Sequence, residues 1–166
     1  MLLREIHHLV KNNLQIIASL LSLQFANLKD PGIRTLLEDN RRRIGAMALV
    51  HEQLYASADL GRIDLGSYIK NLTEQLFHAS VRSGLIGIHL QADEVLLTPD
   101  AAIPCGLILT ELISNALEYA FPAGQAGEVQ IELRGPNGQE VTMVVRDIGV
   151  GFPEPLDFRH TASLGL

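Results

Sequence analysis

His7 and His8 stand side by side in Arg4-Glu5-Ile6-His7-His8-Leu9-Val10-Lys11-Asn12-Asn13-Leu14-Gln15, with a carboxylate, a lysine and two amides in the same short run. An unperturbed imidazole is mostly neutral at pH 7, so a histidine held in the open can act as a nucleophile or carry a proton. Glu5 lies three residues before His8 on a neighbouring helix face, within reach of the proton on the second ring nitrogen. A second group is Glu111-Leu-Ile-Ser-Asn115. Its i, i+4 spacing puts a carboxylate and an amide on one helix face, an oxygen pair suited to Mg²⁺, which otherwise keeps its waters and takes nucleotide phosphates. A third is Asp147-Ile-Gly149-Val-Gly151. There a strand delivers a carboxylate that can accept a hydrogen bond from an exocyclic amine such as that of adenine, and two glycines allow the backbone close to a flat ligand. Taken singly, each pattern also has a plain structural reading, a polar helix face or an ordinary turn. Neither the GxGxxG nor the GxxxxGK[ST] phosphate loop is supported.

The first group needs a helix to hold it. From Leu2 to Leu28 apolar residues recur at helical spacing, at Leu3, Ile6, Val10, Leu14, Ile17 and Leu21. On a wheel of about 100° per residue, His8 falls roughly 160° from the centre of that stripe and His7 only about 60° away. His8 shares its face with Asn12, Gln15 and Ser19, whereas His7 reads as a packing or orienting residue. Asp30-Pro31-Gly32 signals a turn. A second helix follows from Ile33 to about Ser57, carrying Arg41-Arg42-Arg43 at its middle and His51 as a structural residue. The basic run reads as a solvated face, with an acidic partner or a phosphate as the functional alternative. A lone helix hairpin cannot bury both seams, so the spacing predicts a dimer with four helices in one bundle.

Ser57-Ala58-Asp59-Leu60-Gly61-Arg62 is the expected boundary, giving a hairpin over 1–60 and a second domain over 61–166. The second part reads as a helix from Leu65 to Val81, a strand from Leu85 to Ala92 and a long helix from Pro99 to Ala120. Two strands follow, Glu128 to Arg134 and Glu140 to Asp147, joined by a turn at Pro136-Asn137-Gly138. This order is an α+β pattern ending in antiparallel strands.

Composition narrows the class of protein. The chain has 166 residues, a formal net charge of −6 and a single cysteine, Cys105. Such a charge speaks against a nucleic-acid binder, and one cysteine rules out an internal disulfide or a CxxC metal site. No uncharged apolar run approaches the length of about 18 residues that a membrane span needs, and the N-terminus lacks the apolar stretch of a signal peptide. The expected location is the cytoplasm.

Taken together, the motifs carry a resemblance. Glu111 and Asn115, a hairpin, Asp147-x-Gly149-x-Gly151 and a terminal Gly165 resemble the N box, the G1 box and the start of the G2 box of the GHKL ATPase fold. Glu5-Ile-His-His-x-Val-Lys-Asn-Asn-Leu-Gln, with Leu49-Val50-His51-Glu52-Gln53-Leu54-Tyr55, resembles the histidine kinases that carry a HisKA_2 dimerisation and phosphoacceptor domain, relatives of the HWE group. The likeness runs nearly end to end and takes in Ala120-Phe121-Pro122. It implies a two-component sensor kinase core, in which a helix hairpin forms a dimeric four-helix bundle and an α/β sandwich follows. ATP with Mg²⁺ would bind at Glu111, Asn115, Asp147, Gly149, Gly151 and Gly165, with Asn115 on the metal. His8 matches the phosphoacceptor position, with Glu5, Lys11 and Asn12 beside it, and a response-regulator receiver domain would take the phosphoryl group onward.

The chain departs from the family pattern at Leu9, where Arg is usual, at Glu118, where Lys is usual, and at Ile148 in place of the Asn of DNGxG. It also stops within the expected G2 box, which implies an incomplete sandwich. Glu118, Ile148 and the cut in the G2 box favour an alternative, a non-catalytic phosphotransfer or scaffold module with a degenerate nucleotide domain, whereas Asp147, Gly149, Gly151 and Asn115 favour the kinase. A third reading is a GHKL ATPase in which Glu111 activates water, against which the hairpin bearing His8 speaks.

Overall fold

The computed structural model describes residues 2–25, 30–56, 61–78, 85–122, 125–135 and 140–151. The boundary residues 57–60, the Pro136-Asn137-Gly138 turn, Gly165 and the side chain of His7 lie outside the described residues.

Two long helices form the antiparallel hairpin, α1 (Leu2–Phe25) and α2 (Pro31–Ala56). The expected turn is a helix cap. Asp30 Oδ1 accepts the N–H groups of Gly32 at 2.8 Å and Ile33 at 3.3 Å, and Pro31 opens the helix, where its missing N–H costs nothing. Val10, Leu14, Ala18 and Leu21 are the more covered apolar residues of α1. Ile6 and Ile17, expected in the buried seam, remain 46% exposed in the single chain. Leu9, Ile16, Leu20 and Leu23 make a second, open stripe at helical spacing that the wheel centred on Val10 did not single out.

The rest of the chain runs β1 (Ile63–Asp64), α3 (Leu65–His78), β2 (Ile86–Ala92), β3 (Leu96–Leu97), α4 (Pro99–Asn115), a π-helical turn (Ala116–Ala120), β4 (Gly127–Arg134) and β5 (Thr142–Asp147). Asp64 caps α3 as Asp30 caps α2, accepting the N–H of Gly66 at 3.0 Å and the hydroxyl of Ser67 at 2.6 Å. β1 and β3 pair antiparallel through Ile63 with Leu97 and Asp64 with Leu96, a contact too short to leave an alternation in sequence. The larger sheet has the order β2-β4-β5. β4 and β5 are antiparallel, as the alternating runs predict, but β2 and β4 are parallel, from Ile86 with Gly127 to Ala92 with Leu133. The chain leaves β2, returns along α4 and re-enters the sheet in the same direction, which a crossover helix permits and a hairpin does not.

One apolar core spans both halves. Ala46, Leu49 and Val50 of α2 are buried with Leu65, Tyr68, Ile69 and Leu72 of α3, Leu109 and Ile113 of α4, and Val129, Ile131 and Leu133 of β4. By length and composition the Pro99–Ala120 helix is apolar enough to cross a membrane. Its Ala102, Leu109, Ile113 and Ala116 are nonetheless buried in this core. Cys105, the free thiol, is half-buried in α4, and burial pushes its pKa up.

Tyr68 ties the halves together. Its ring is fully buried and its hydroxyl donates to the carbonyl of Ala46 at 3.1 Å, across from α3 to α2. Gly106 makes the space, since a Cβ there would meet the Tyr68 hydroxyl at 1.8 Å. Burial, and after it the charge of Cys105, raises the Tyr68 phenol well above its ordinary value of 10.0. The folded state therefore keeps a proton that the unfolded chain gives up, so this contribution is present below pH 10.0 and is lost as pH rises beyond it. Tyr68→Phe is expected to cost about 1 kcal/mol at neutral pH. It should also flatten the alkaline fall in stability, read by urea denaturation at stepped pH.

Candidate functional site

His8 is exposed on α1, one helical turn after the exposed Glu5. The side-chain amide nitrogen of Asn12 is 3.3 Å from His8 Nδ1. Lys11, one turn along, turns inward and pairs with Glu52 of α2 at 2.6 Å. His51, beside Glu52, is half-buried. The helix thus supplies an open imidazole with an amide neighbour, while its lysine is engaged across the hairpin.

The nucleotide-type motifs are built separately. α4 ends at Asn115, and the backbone then widens into the π-helical turn, which returns Ala120 to the end of β5. The Ala120 carbonyl accepts the N–H of Val150 at 2.9 Å. The Ile148 N–H donates to the carbonyl of Glu128 at 3.3 Å, continuing the pairing of β5 with β4. Gly149 sits directly against this junction, and a Cβ there would meet the Ala120 oxygen at 2.3 Å. Gly151 has a φ of 72°, a conformation that L side chains rarely take. Asp147 is exposed at the strand end, with Oδ1 accepting the N–H of Gly149 at 3.0 Å. This loop is stapled to the end of the Glu111–Asn115 helix, so both motifs meet at one edge of the sheet. Ile148, in the middle, is 63% exposed.

Glu111 carries the contact that sequence spacing did not reveal. Arg43 Nε of α2 donates to Glu111 Oε1 at 2.7 Å, with both side chains about a quarter exposed. The hydrogen bond with Glu111 is the largest cause holding the Arg43 guanidinium above its ordinary value, and desolvation opposes it. Arg42 pairs with Asp39 on the same helix. Tyr119, in the π-helical turn, lies within the field of Asp39 and Arg42, and its phenol is raised by burial, then by Glu118 and Asp39. The helix from 111 to 119 therefore runs alongside the segment 39–43 of α2. The basic run is neither a plain solvated face nor an open phosphate site at Arg43, because its acidic partner lies in the same chain.

His8 is not brought to this place. Lys11 and Glu52 mark a common level on the hairpin, so Arg43 and His8 are twelve residues of helix apart, about 18 Å at about 1.5 Å per residue. His8 also points away from the covered face of α1.

Among the described residues no group of three or more His, Cys, Asp or Glu side chains is placed to hold a metal ion alone. The donor set fits a Mg²⁺ that arrives with a nucleotide and takes one protein oxygen, for which the half-buried Asn115 is placed. The glycine-lined edge beside Asp147 fits a flat base.

Comparison with known proteins agrees with this geometry. Residues 5–80 match the family described as Histidine kinase (HisKA_2), and residues 80–163 match the Histidine kinase-like ATPase domain (HATPase_c_2). Sensor histidine kinase PdtaS of Mycobacterium tuberculosis is 35% identical over 165 residues, 99% of this chain and 32% of that protein. Blue-light-activated histidine kinase 2 of Erythrobacter litoralis is 30% identical over 167 residues, 98% of this chain and 47% of that protein. The chain thus spans about a third to a half of these relatives. The histidine kinase domain of Erythrobacter litoralis EL346 superposes with a TM-score of 0.67 at 25% identity, covering 91% of this chain and 80% of that one. The longer EL346 structure gives 0.70 at 25% identity, covering 95% of this chain and 48% of that one. The chain belongs to the sensor histidine kinase family, with a HisKA_2 hairpin followed by a GHKL-type α/β unit.

Gly149→Ala is expected to destabilise the fold by about 1–3 kcal/mol, because the clash is with backbone at Ala120. Gly151→Ala, with open space around it, should cost only about 1 kcal/mol for its φ. Chemical denaturation of the two variants tests that ranking.

Proposed function

We propose that this chain is the phosphotransfer core of a two-component sensor kinase, acting in the cytoplasm. The observation that supports the reading is the junction at Ala120, where the π-helical turn that follows Asn115 packs against Gly149 and Val150 of the Asp147–Gly151 loop, in a chain that also exposes His8 on a helix hairpin. ATP is the phosphoryl donor. Asp147 receives the adenine amine, Gly149 and Gly151 allow the base close to the backbone, and Glu111, Asn115 and Gly165 complete the binding set. Mg²⁺ on Asn115 supplies charge neutralisation at the phosphates. The division of labour follows the expected boundary, with 1–60 as the acceptor hairpin and 61–166 as the ATP-binding domain.

His8 attacks the γ-phosphorus through a neutral ring nitrogen. As the new N–P bond forms, the bond from phosphorus to the β,γ-bridging oxygen breaks, and the proton on the other ring nitrogen leaves, with Glu5 as its acceptor. Positioning and charge neutralisation do most of the work in such a transfer. Lys11 and Asn12 stand beside the phosphorylated ring, Lys11 after exchanging Glu52 for the phosphoryl oxygens. A response-regulator aspartate then removes the group. The open stripe of Ile6, Leu9, Ile16, Leu20 and Leu23 is the surface through which two chains form the four-helix bundle. The ion pair at Glu111 speaks against the water-activating ATPase, because a carboxylate bound to a guanidinium loses that pairing when it takes a proton.

The test is incubation with Mg²⁺ and γ-labelled ATP. The expected product is an acid-labile, alkali-stable label that His8→Ala abolishes and that a receiver domain removes. Label acquired only from a phosphorylated regulator would establish the non-catalytic phosphotransfer module instead, and released phosphate without labelled protein would establish an ATPase. Glu5→Gln should slow labelling about tenfold or more, in line with the size of general-base effects. An unchanged rate removes Glu5 from the mechanism.

A further inference from the structure

The second asparagine of the Lys11-Asn12-Asn13 run has no role in the chemistry above. Asn13 is exposed and stands in the middle of the open stripe of α1. Ile6, Leu9, Asn13, Ile16, Leu20 and Leu23 follow one another at spacings of three, four, three, four and three residues. That is an unbroken a/d heptad pattern, with Asn13 as its one polar member. The five apolar members are between 46% and 69% exposed in the single chain. The seam that meets α2, at Val10, Leu14 and Leu21, uses other positions. A heptad stripe stays in contact with a partner when two helices supercoil around each other, so this face is shaped for a further helix.

Asn13 decides which helix fits, because the possible pairings differ only there. In a parallel, level pair of two copies, the Asn13 of one chain faces the Asn13 of the other, and each carboxamide can donate to its twin. If one helix is reversed, so that Ile6 opposes Leu23 and Leu9 opposes Leu20, Asn13 is set against Ile16. If one helix slides by a heptad, Asn13 is set against Ile6 or Leu20. Each of those arrangements buries a carboxamide among aliphatic side chains, which is unfavourable without a hydrogen-bond partner. A foreign amphipathic helix meets the same mismatch unless it carries a polar residue at the same level. A second copy of this chain carries one.

We propose that Asn13 sets the orientation and register in which a second copy of this chain seats on α1, parallel and level. The proposal rests on the reading of the open stripe as the surface between two chains. The apolar members supply the affinity, and Asn13 gives up part of it for a single geometry. His8 lies about 110° around the helix from the centre of the stripe. Parallel pairing therefore puts the two His8 side chains at one height and leaves each on a face turned from the seam. Antiparallel pairing would set them at opposite ends of it.

The test needs no kinase activity. Far-UV circular dichroism first establishes that each variant keeps its helices. Sedimentation equilibrium of the wild-type chain should show a monomer–dimer equilibrium. Under mild oxidation, Asn13→Cys should give a disulfide between the two copies of position 13, located by peptide mass mapping. Gln15→Cys, on the His8 face, should give none, and the wild-type chain controls for Cys105. Asn13→Leu should tighten the dimer about tenfold or more, because a buried amide leaves the seam. A mixture of Ile6→Cys and Leu23→Cys chains should form few links between positions 6 and 23, and many once Asn13→Leu is present in both.

A wild-type chain that stays monomeric at every concentration overturns the two-chain reading and this proposal together. A dimer in which Asn13→Cys does not link to itself overturns the proposal and leaves the two-chain reading standing. An Asn13→Leu dimer no tighter than wild type, or one without links between positions 6 and 23, does the same.

Discussion

The burial of the C-terminal half of α2 is the constraint on which the rest of this molecule depends. Ala46, Leu49 and Val50 are covered by residues of α3 and α4, and the Tyr68 hydroxyl reaches the Ala46 carbonyl from the far side of that contact. A helix hairpin of this kind is usually thought of as a separate unit joined by a tether. Here the hairpin forms one wall of the core that also shelters the three-stranded sheet. Loss of packing at Tyr68 would therefore loosen the helix hairpin and the unit packed against it together. Close-packed interiors transmit such changes because their side chains have few alternative arrangements.

Ala120 plays the corresponding part at the end of β5. The π-helical turn from Ala116 brings its carbonyl to the N–H of Val150, and the absence of a side chain at Gly149 lets the loop close on it. A π-helical turn is a costly local geometry that recurs at functional sites. In this chain it brings the end of the helix that carries Asn115 against the loop that follows Asp147, through Ala120 and Gly149. Ile148 and Glu118 depart from the family pattern at that edge, and both are exposed there, where they alter its polarity and leave the core unchanged.

The two ion pairs of the hairpin divide its chemistry. Lys11 with Glu52 lies one helical turn from His8 and joins α1 to α2. Arg43 with Glu111 lies higher and joins α2 to α4. Both are partly covered, so each is strong enough to bias a geometry and weak enough to be exchanged for a phosphate or another arrangement.

Much of this was legible in the residues. Helical periodicity located α1, α2, α3 and α4 to within a few positions, because a single apolar face is repeated over several turns. The polarity of its wheel put His8 on the open face of α1, and local chemistry marked Asp30 as a turn residue and Asp147 as a strand-end carboxylate. Nothing local marked β1 and β3, which pair over two residues each, or the parallel pairing of β2 with β4, which depends on the path of α4. The second open stripe of α1 was also missed, since a wheel centred on Val10 treats Leu9, Ile16, Leu20 and Leu23 as scatter until the covered face is known. The sequence by itself determined which residues can do chemistry and which helix faces carry them, because side-chain type and backbone period are local properties. Only the tertiary structure decided that Arg43 meets Glu111 across 68 positions and that Gly149 must sit on Ala120. Those facts follow from how the helices pack, and packing is decided by the whole core at once.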